Sequence, residues 1–248
     1  MIVIEYILGS IYRIAFILIL LIFHPLQIIA IQLFGWKGHQ KVVQLLNGCI
    51  TAAFRLAGTS VSFRNNYKLQ LDKTTIIVAN HQSLWDIVGI YWFLRKQNPL
   101  FVSKIELTKG IPSISYNLRK SGAALINRKN RKQAISEILR MGEQVNQQNR
   151  AAVIFPEGTR SKNGQLKQFA VGGLAGLLKK CPDAEIIPVV VRGTAALEAN
   201  KFYRIKMGKS ISWTVLEPFN ASRMEVQEVL DKTYTMIKES LETDSPQR

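Results

Sequence analysis

The sequence predicts an α/β domain, with a mostly parallel sheet flanked by helices, preceded by an N-terminal membrane-associated two-helix segment. Two observations predict the domain. Its 248 residues, 47% hydrophobic, suffice for one sizeable core. From Val61 onward, short apolar runs alternate with longer helical patterns, the order expected of parallel strands joined by crossover helices. A third observation predicts the leading segment: Ile14 to Trp36 contains no Asp, Glu, Lys or Arg.

That stretch is long enough to cross a bilayer, which takes ~20 residues. Its centre carries His24-Pro25, which would kink or split a helix, with Gln27 and Gln32 beyond. A second apolar stretch runs from Val42 to Ala57, with Arg55 near its end. Two short helices that enter one leaflet and return, a single span, or a buried soluble helix all fit this pattern. A cleaved signal peptide fits less well, because Glu5 and Arg13 come early and no small-residue cleavage site follows. Lys37, Lys41, Arg55, Arg64 and Lys68 then accumulate, which makes that side cytoplasmic by the positive-inside rule. The division expected is 1–58 for membrane docking and 59–248 for the α/β domain, on the cytoplasmic side of an inner membrane.

Within the domain, the strand candidates are Val61–Arg64, Thr75–Ala79, Leu100–Ser103, Ala124–Asn127, Ala152–Phe155, Ile186–Val191 and Ser212–Leu216. Helix candidates are Ser83–Gln97, Arg131–Gln148, Phe169–Lys180 and a closing helix over Arg223–Glu242. The final five residues, 244–248, read as a frayed tail.

The 33 Lys and Arg against 17 Asp and Glu leave a net charge of +16, which calls for an anionic partner: nucleic acid, an acidic lipid surface or a phosphorylated substrate. Nucleic acid lacks support, since no helix-turn-helix, zinc finger or aromatic RNP-type strand accompanies the charge. Cys49 and Cys181 form no CxxC pair and read as free thiols in a reducing compartment. Three His residues leave too few ligands for a usual zinc site, so neither a metal nor another cofactor is expected.

Two strand ends carry candidate chemistry. Thr75–Ala79 leads into Asn80-His81-Gln82-Ser83-Leu84-Trp85-Asp86, so His81 lies beyond a strand's carboxyl end, where α/β proteins place ligands. Asp86, five residues on, could hold the imidazole's tautomer and stabilise the imidazolium. The same residues also match a helix capping box, with Ser83 on the N3 amide and Asp86 at the positive helix end. Both uses are compatible. Ala152–Phe155 ends in Phe155-Pro156-Glu157-Gly158-Thr159-Arg160-Ser161, where Pro156 stops the ladder and Gly158 permits a tight turn. Arg160 offers a planar fork suited to a phosphate, with Thr159, Ser161 and turn amides as further donors. A solvated polar turn is the plain alternative.

Together, in this order and roughly seventy residues apart, these two loops resemble the NHxxxxD and FPEGTRS blocks of the glycerolipid acyltransferase family, in particular its bacterial 1-acylglycerol-3-phosphate acyltransferases. Weaker matches are Lys104 to Pro112 with Arg128, and Ile187-Pro188-Val189-Val190; Asn127 stands where the family often has Asp. The resemblance covers Val61 to Gly193. It implies His81 and Asp86 as catalytic residues and Lys104, Arg128, Glu157, Gly158, Thr159, Arg160 and Ser161 at the acceptor site. It also implies lysophosphatidate and acyl-CoA or acyl-ACP (acyl carrier protein) as substrates, with membrane lipids around them. Another lysolipid acceptor, such as a lyso-ornithine lipid, stays open, as does a non-enzymatic basic peripheral membrane protein.

The stretch Arg95 to Lys132 carries ten Lys or Arg and one acid, Glu106. Most of these, including Arg95, Lys96, Arg131 and Lys132, are expected to face solvent or anionic lipid. Lys104 and Arg128 each follow a strand end and are expected at the crevice of His81 and Arg160. An acyl chain needs an apolar groove, for which the helix wall from Leu84 to Leu94 is a candidate.

Overall fold

A computed structural model describes residues 2–161, 163–198 and 209–243. The predicted tail at 244–248 lies outside the described residues. The strands are β1 (Ser60–Arg64), β2 (Thr75–Ala79), β3 (Leu100–Lys104), β4 (Ala124–Ile126), β5 (Ala151–Ile154), β6 (Glu185–Arg192), β7 (Ser210–Val215) and β8 (Phe219–Asn220). They form one eight-stranded sheet in the order β1-β7-β6-β2-β5-β3-β4, with β8 also beside β6. Strands β6, β2, β5, β3 and β4 run parallel to one another, so their carboxyl ends share one edge. Strand β7 is antiparallel to β6 and carries β1 with it.

The central strands are apolar on both faces because both faces are covered. Ile77, Val153 and Ile187 point to one side, into a cluster shared with Trp85, Leu46 and Phe54. Their neighbours Ile76, Ala152 and Ile186 point to the other, against Met141, Leu177 and Val229. That strict alternation is the two-residue period of a pleated strand. Each fully buried Ile or Val here contributes roughly 1.5–3 kcal/mol relative to exposure.

Helices α4 (Arg131–Gln147), α5 (Val171–Lys180) and α6 (Val226–Thr243) cover the second face. In α4, Asn130 caps the start by accepting from the Gln133 amide at 3.0 Å, and Ile138, Met141 and Val145 form its buried stripe. The first face is covered by α1 (Ile2–Ala53) and α2 (Trp85–Phe93). The helix expected over Ser83–Gln97 is shorter: it ends at Phe93, and a separate 3-10 turn spans Arg95–Gln97. Helix α3 (Ile114–Lys120) and strand β8 are additions that periodicity did not signal, being too short to show a period.

The N-terminal pair of helices is present, but its break is not at His24-Pro25. The backbone leaves helical geometry at Gly35 (φ 61°, ψ −156°), and Pro25 lies inside the first limb. The loop before α3 supports the helix there: Ser113 Oγ donates to the Leu20 carbonyl at 2.6 Å and its amide to His24 Nδ1 at 3.1 Å. Glycine alone adopts the positive φ that the turn requires without strain. One side of the first limb packs Tyr12 and Phe16 against Phe54 and Trp85. The other side leaves Ile7, Ile14, Leu18, Leu21, Ile22 and Ile29 exposed, and the helix is long and apolar enough to cross a membrane. An exposed apolar surface of that extent is one that a membrane or a protein partner covers.

Candidate active site

The shared carboxyl edge of the parallel strands gathers the candidate residues. Asn80, just past β2, is buried and extends the sheet with its side chain: Nδ2 donates to the Val191 carbonyl at 2.9 Å and Oδ1 accepts from the Val191 amide at 2.7 Å. This ties the exit of β2 to β6 and fixes where His81 emerges. The His81 backbone is then held on both sides by the second loop. Its amide donates to Glu157 Oε1 at 2.7 Å, and its carbonyl accepts from the Ser161 amide at 2.7 Å. The imidazole stacks on Phe155 with ring centroids 4.2 Å apart and keeps 12% of its side chain exposed.

His81 Nδ1 lies 2.8 Å from Asp86 Oδ2. Asp86 is fully buried, and Oδ2 also accepts from the amides of Gln82 (2.6 Å) and Ser83 (2.9 Å). Its Oδ1 accepts from the hydroxyls of Ser83 at 3.4 Å and of Thr194. A carboxylate can be buried at this cost because each oxygen is met by several donors. With Nδ1 engaged, the imidazole presents Nε2 as its second functional nitrogen. The capping geometry differs from the expected box: the Ser83 hydroxyl accepts from the Trp85 amide at 3.0 Å, one residue short of N3. Asp86 also reaches back to accept from the Ser83 amide at 2.9 Å, the reciprocal arm of a capping box.

The Phe155–Ser161 loop turns at Pro156, with the Gly158 amide donating to the Phe155 carbonyl at 3.0 Å and Gly158 at φ 67°. Glu157 is buried and spends both oxygens on main-chain amides, those of His81 and of Lys167 (3.3 Å). Burial pushes its carboxyl above the ordinary range, and the amide bonds from His81 and Lys167 offset part of that rise. Ser161 is also buried, its hydroxyl donating to Asn163 Oδ1 at 3.0 Å. Gly158, Thr159 and Arg160 are the exposed members, braced by Lys167 Nζ, which donates to Thr159 Oγ1 (3.1 Å) and the Arg160 carbonyl (2.8 Å).

Lys104 ends β3 and Arg128 follows two residues after β4, at the same edge, and both are exposed. The sheet order sets them two and three strands from β2, roughly 10 and 14 Å along the edge at ~4.8 Å per strand. They flank the His81 and Arg160 loops without touching His81.

An apolar cavity of about 290 Å³ opens behind this edge, lined by Leu84 just before α2, Ile87 and Tyr91 of α2, Leu46 and Ile50 of α1, and Phe101. Phe155 connects it to the imidazole, stacking on His81 on one side and on Phe101 on the other, at 6.4 Å. The expected apolar wall is therefore half used: Leu84, Ile87, Val88 and Tyr91 line the cavity, whereas Leu94 belongs to the core.

Thr194 and Asn80 are contributors that sequence reading passed over. Thr194 follows β6 at the carboxyl edge, after Gly193 at φ 77°, where a Cβ would lie 2.1 Å from the Ser210 carbonyl oxygen. A Gly-Thr pair just past a central strand was the available signal. Among the described residues, no group of three His, Cys, Asp or Glu side chains is arranged to hold a metal ion.

A family model described as Acyltransferase matches residues 60–192. The 1-acyl-sn-glycerol-3-phosphate acyltransferase of Saccharomyces cerevisiae is 29% identical over 174 residues, covering 68% of this chain and 56% of that one. Human 1-acyl-sn-glycerol-3-phosphate acyltransferase beta is 30% identical over 158 residues, covering 64% and 54%. The chain thus spans about half the length of these relatives. The crystal structure of the 1-acyl-sn-glycerophosphate (LPA) acyltransferase PlsC from Thermotoga maritima superposes with a TM-score of 0.81 at 22% identity, over 98% of this chain and 97% of that one.

Proposed function

The chain belongs to the acyltransferase family, and from that premise we propose that it transfers a fatty acyl group from an acyl thioester to the sn-2 hydroxyl of 1-acyl-glycerol-3-phosphate, giving phosphatidic acid. The observation that supports this reading is the 2.8 Å pair of His81 Nδ1 and Asp86 Oδ2, with His81 stacked on Phe155 and Phe155 in turn on Phe101 of the cavity wall.

His81 Nε2 takes the proton of the acceptor hydroxyl as the oxygen attacks the thioester carbonyl, and Asp86 stabilises the imidazolium formed. General-base assistance of this kind commonly contributes ~10²–10⁴ in rate. The tetrahedral intermediate collapses with loss of the thiolate, which takes up the proton, so no acyl-enzyme is needed. The acyl chain occupies the cavity behind Leu84. Arg160, with Gly158 and Thr159 beside it, holds the phosphate, and Lys104 and Arg128 supply further positive charge from the same edge. Glu157 and Ser161 serve indirectly, by fixing the His81 backbone. The thioester is acyl-CoA or acyl-ACP, which share the reacting bond. Residues 1–58 dock the protein on the cytoplasmic side of the inner membrane, and 59–248 carry the reaction.

The test is acyl transfer by purified protein in mixed micelles, with lysophosphatidate, monoacylglycerol and a lyso-ornithine lipid compared as acceptors for both donors. Lysophosphatidate is expected to be preferred, and Arg160→Ala to raise its KM. His81→Ala should keep the circular dichroism spectrum and micelle binding while turnover falls by ~10² or more. Turnover at the wild-type level in that variant would remove His81 from the reaction.

A further inference from the structure

Where α1 breaks at Gly35, the chain passes from apolar to basic within a few residues. Leu33 and Phe34 end the first limb 69% and 71% exposed. Trp36 opens the second limb, and Lys37 and Lys41 follow one turn apart. Facing them, the connection from α2 to β3 brings Arg95 and Lys96. Together they line a pocket of about 370 Å³ whose described lining holds these four cations and no carboxylate.

The pocket is braced. Asn98, at φ 51°, accepts through Oδ1 from Gln40 and, at 3.4 Å, from Gln44, which also donates to the Arg95 carbonyl at 3.0 Å. The Arg95 guanidinium lies 4.3 Å over the Trp92 ring, and that of Arg150 lies 4.2 Å over Trp36. Both walls are therefore tied to each other through Gln40, Gln44 and Asn98, and the backbone positions of the four cations around the pocket are fixed. Like charges on one site are an arrangement that an anion relieves. The location is separate from the reaction centre. Arg95 and Lys96 precede β3, which starts at Leu100, so the pocket is at the amino-terminal edge of the sheet and His81 at the carboxyl edge.

We propose that this pocket binds the phosphate headgroup of an anionic bilayer phospholipid that is neither substrate nor product, while Leu33 and Phe34 insert beside it. The source is a lipid rather than a free phosphate because the exposed apolar pair adjoins the cations, and Trp36 occupies the boundary where aromatic anchors sit. The inference rests on the membrane-docking reading.

The test is cosedimentation of the full chain with vesicles of phosphatidylcholine, alone or with about 30% phosphatidylglycerol, at which juxtamembrane cations gain appreciable attraction. Wild type is expected to bind both, and the anionic vesicles at least about tenfold more tightly. Lys37→Gln/Lys41→Gln/Lys96→Gln should lose most of that preference and keep its binding to neutral vesicles. A charge-matched control, Lys179→Gln/Lys232→Gln/Lys238→Gln, alters exposed lysines on α5 and α6 and should retain the preference. Equal losses in the two variants, no preference in wild type, or full competition by millimolar glycerol phosphate each overturn the pocket and leave docking intact. Failure of wild type to bind any vesicle overturns docking and the pocket with it.

Discussion

Replacing Asp86 by Asn separates a catalytic relay from a helix cap. Asp86 Oδ2 receives three donors, from His81, Gln82 and Ser83, and Oδ1 faces two hydroxyls, those of Ser83 and Thr194. An Asn side chain fits the same space. Its carbonyl oxygen can take the three donors, while its NH₂ faces hydroxyls that are able to accept. The Thr194 hydroxyl can turn to Gln82 Oε1, 3.4 Å away, so the losses are charge assistance and the acceptor of the buried Ser83 hydroxyl. Bonds to a charged group contribute ~1.5–3 kcal/mol and neutral ones ~0.5–1.5, so roughly 1–3 kcal/mol of stability goes, part of it recovered because a neutral group is easier to bury. A cap alone would therefore show only this modest destabilisation. A relay loses more, because Asn cannot stabilise the imidazolium: kcat should fall by ~10²–10⁴ with KM little changed. Initial rates of thiol release with lysophosphatidate, set beside a urea unfolding curve, measure both quantities. A folded variant with kcat within about tenfold of wild type would refute the relay and leave Asp86 as a cap.

Two further outcomes follow from buried titratable groups. Burial raises the Glu157 carboxyl, so the folded protein holds that proton more tightly than the unfolded chain. Its contribution to stability is present below the ordinary carboxylate range and is lost as pH rises through the raised value. The unfolding free energy of wild type relative to Glu157→Gln should therefore decline as pH rises above the ordinary carboxylate range by denaturant titration, and a constant or growing difference would contradict the assignment. Cys181 is fully buried, its thiol pushed up to about 11 by burial, whereas Cys49 is exposed. A thiol reagent near pH 8 should titrate one cysteine in the native protein and both after denaturation; two fast thiols in the native state would be the contrary result.

Local patterns carried much of the fold. The apolar run Thr75–Ala79 was read to the residue, and six other strands to within one or two residues at each end. The candidate site residues were proposed from the same local patterns, His81 just past the strand Thr75–Ala79 and the 155–161 loop past the strand that ends at Ile154. The break in α1 was not legible in this way. Proline is a local signal, yet Ser113, 89 residues beyond His24, supports the first limb across it, and the chain turns instead at Gly35. The same limit applied to Glu157, whose polarity reads as substrate contact until the pairing of β2 with β5 sets it against the His81 amide, 76 residues away.

By itself, the sequence determined most of the strands and the longer helices, offered two strand ends as candidates for chemistry, and showed that one flank is apolar enough to meet a membrane. These follow from side-chain period, turn residues and charge within short windows. Only the tertiary structure decided what those residues touch: that Thr194, 108 residues from Asp86, completes its hydrogen bonds, that the cavity lies between α1 and α2, and that four cations from distant segments share one pocket. The physical reason is that strand order and helix packing bring together groups whose separation along the chain carries no signal of their meeting.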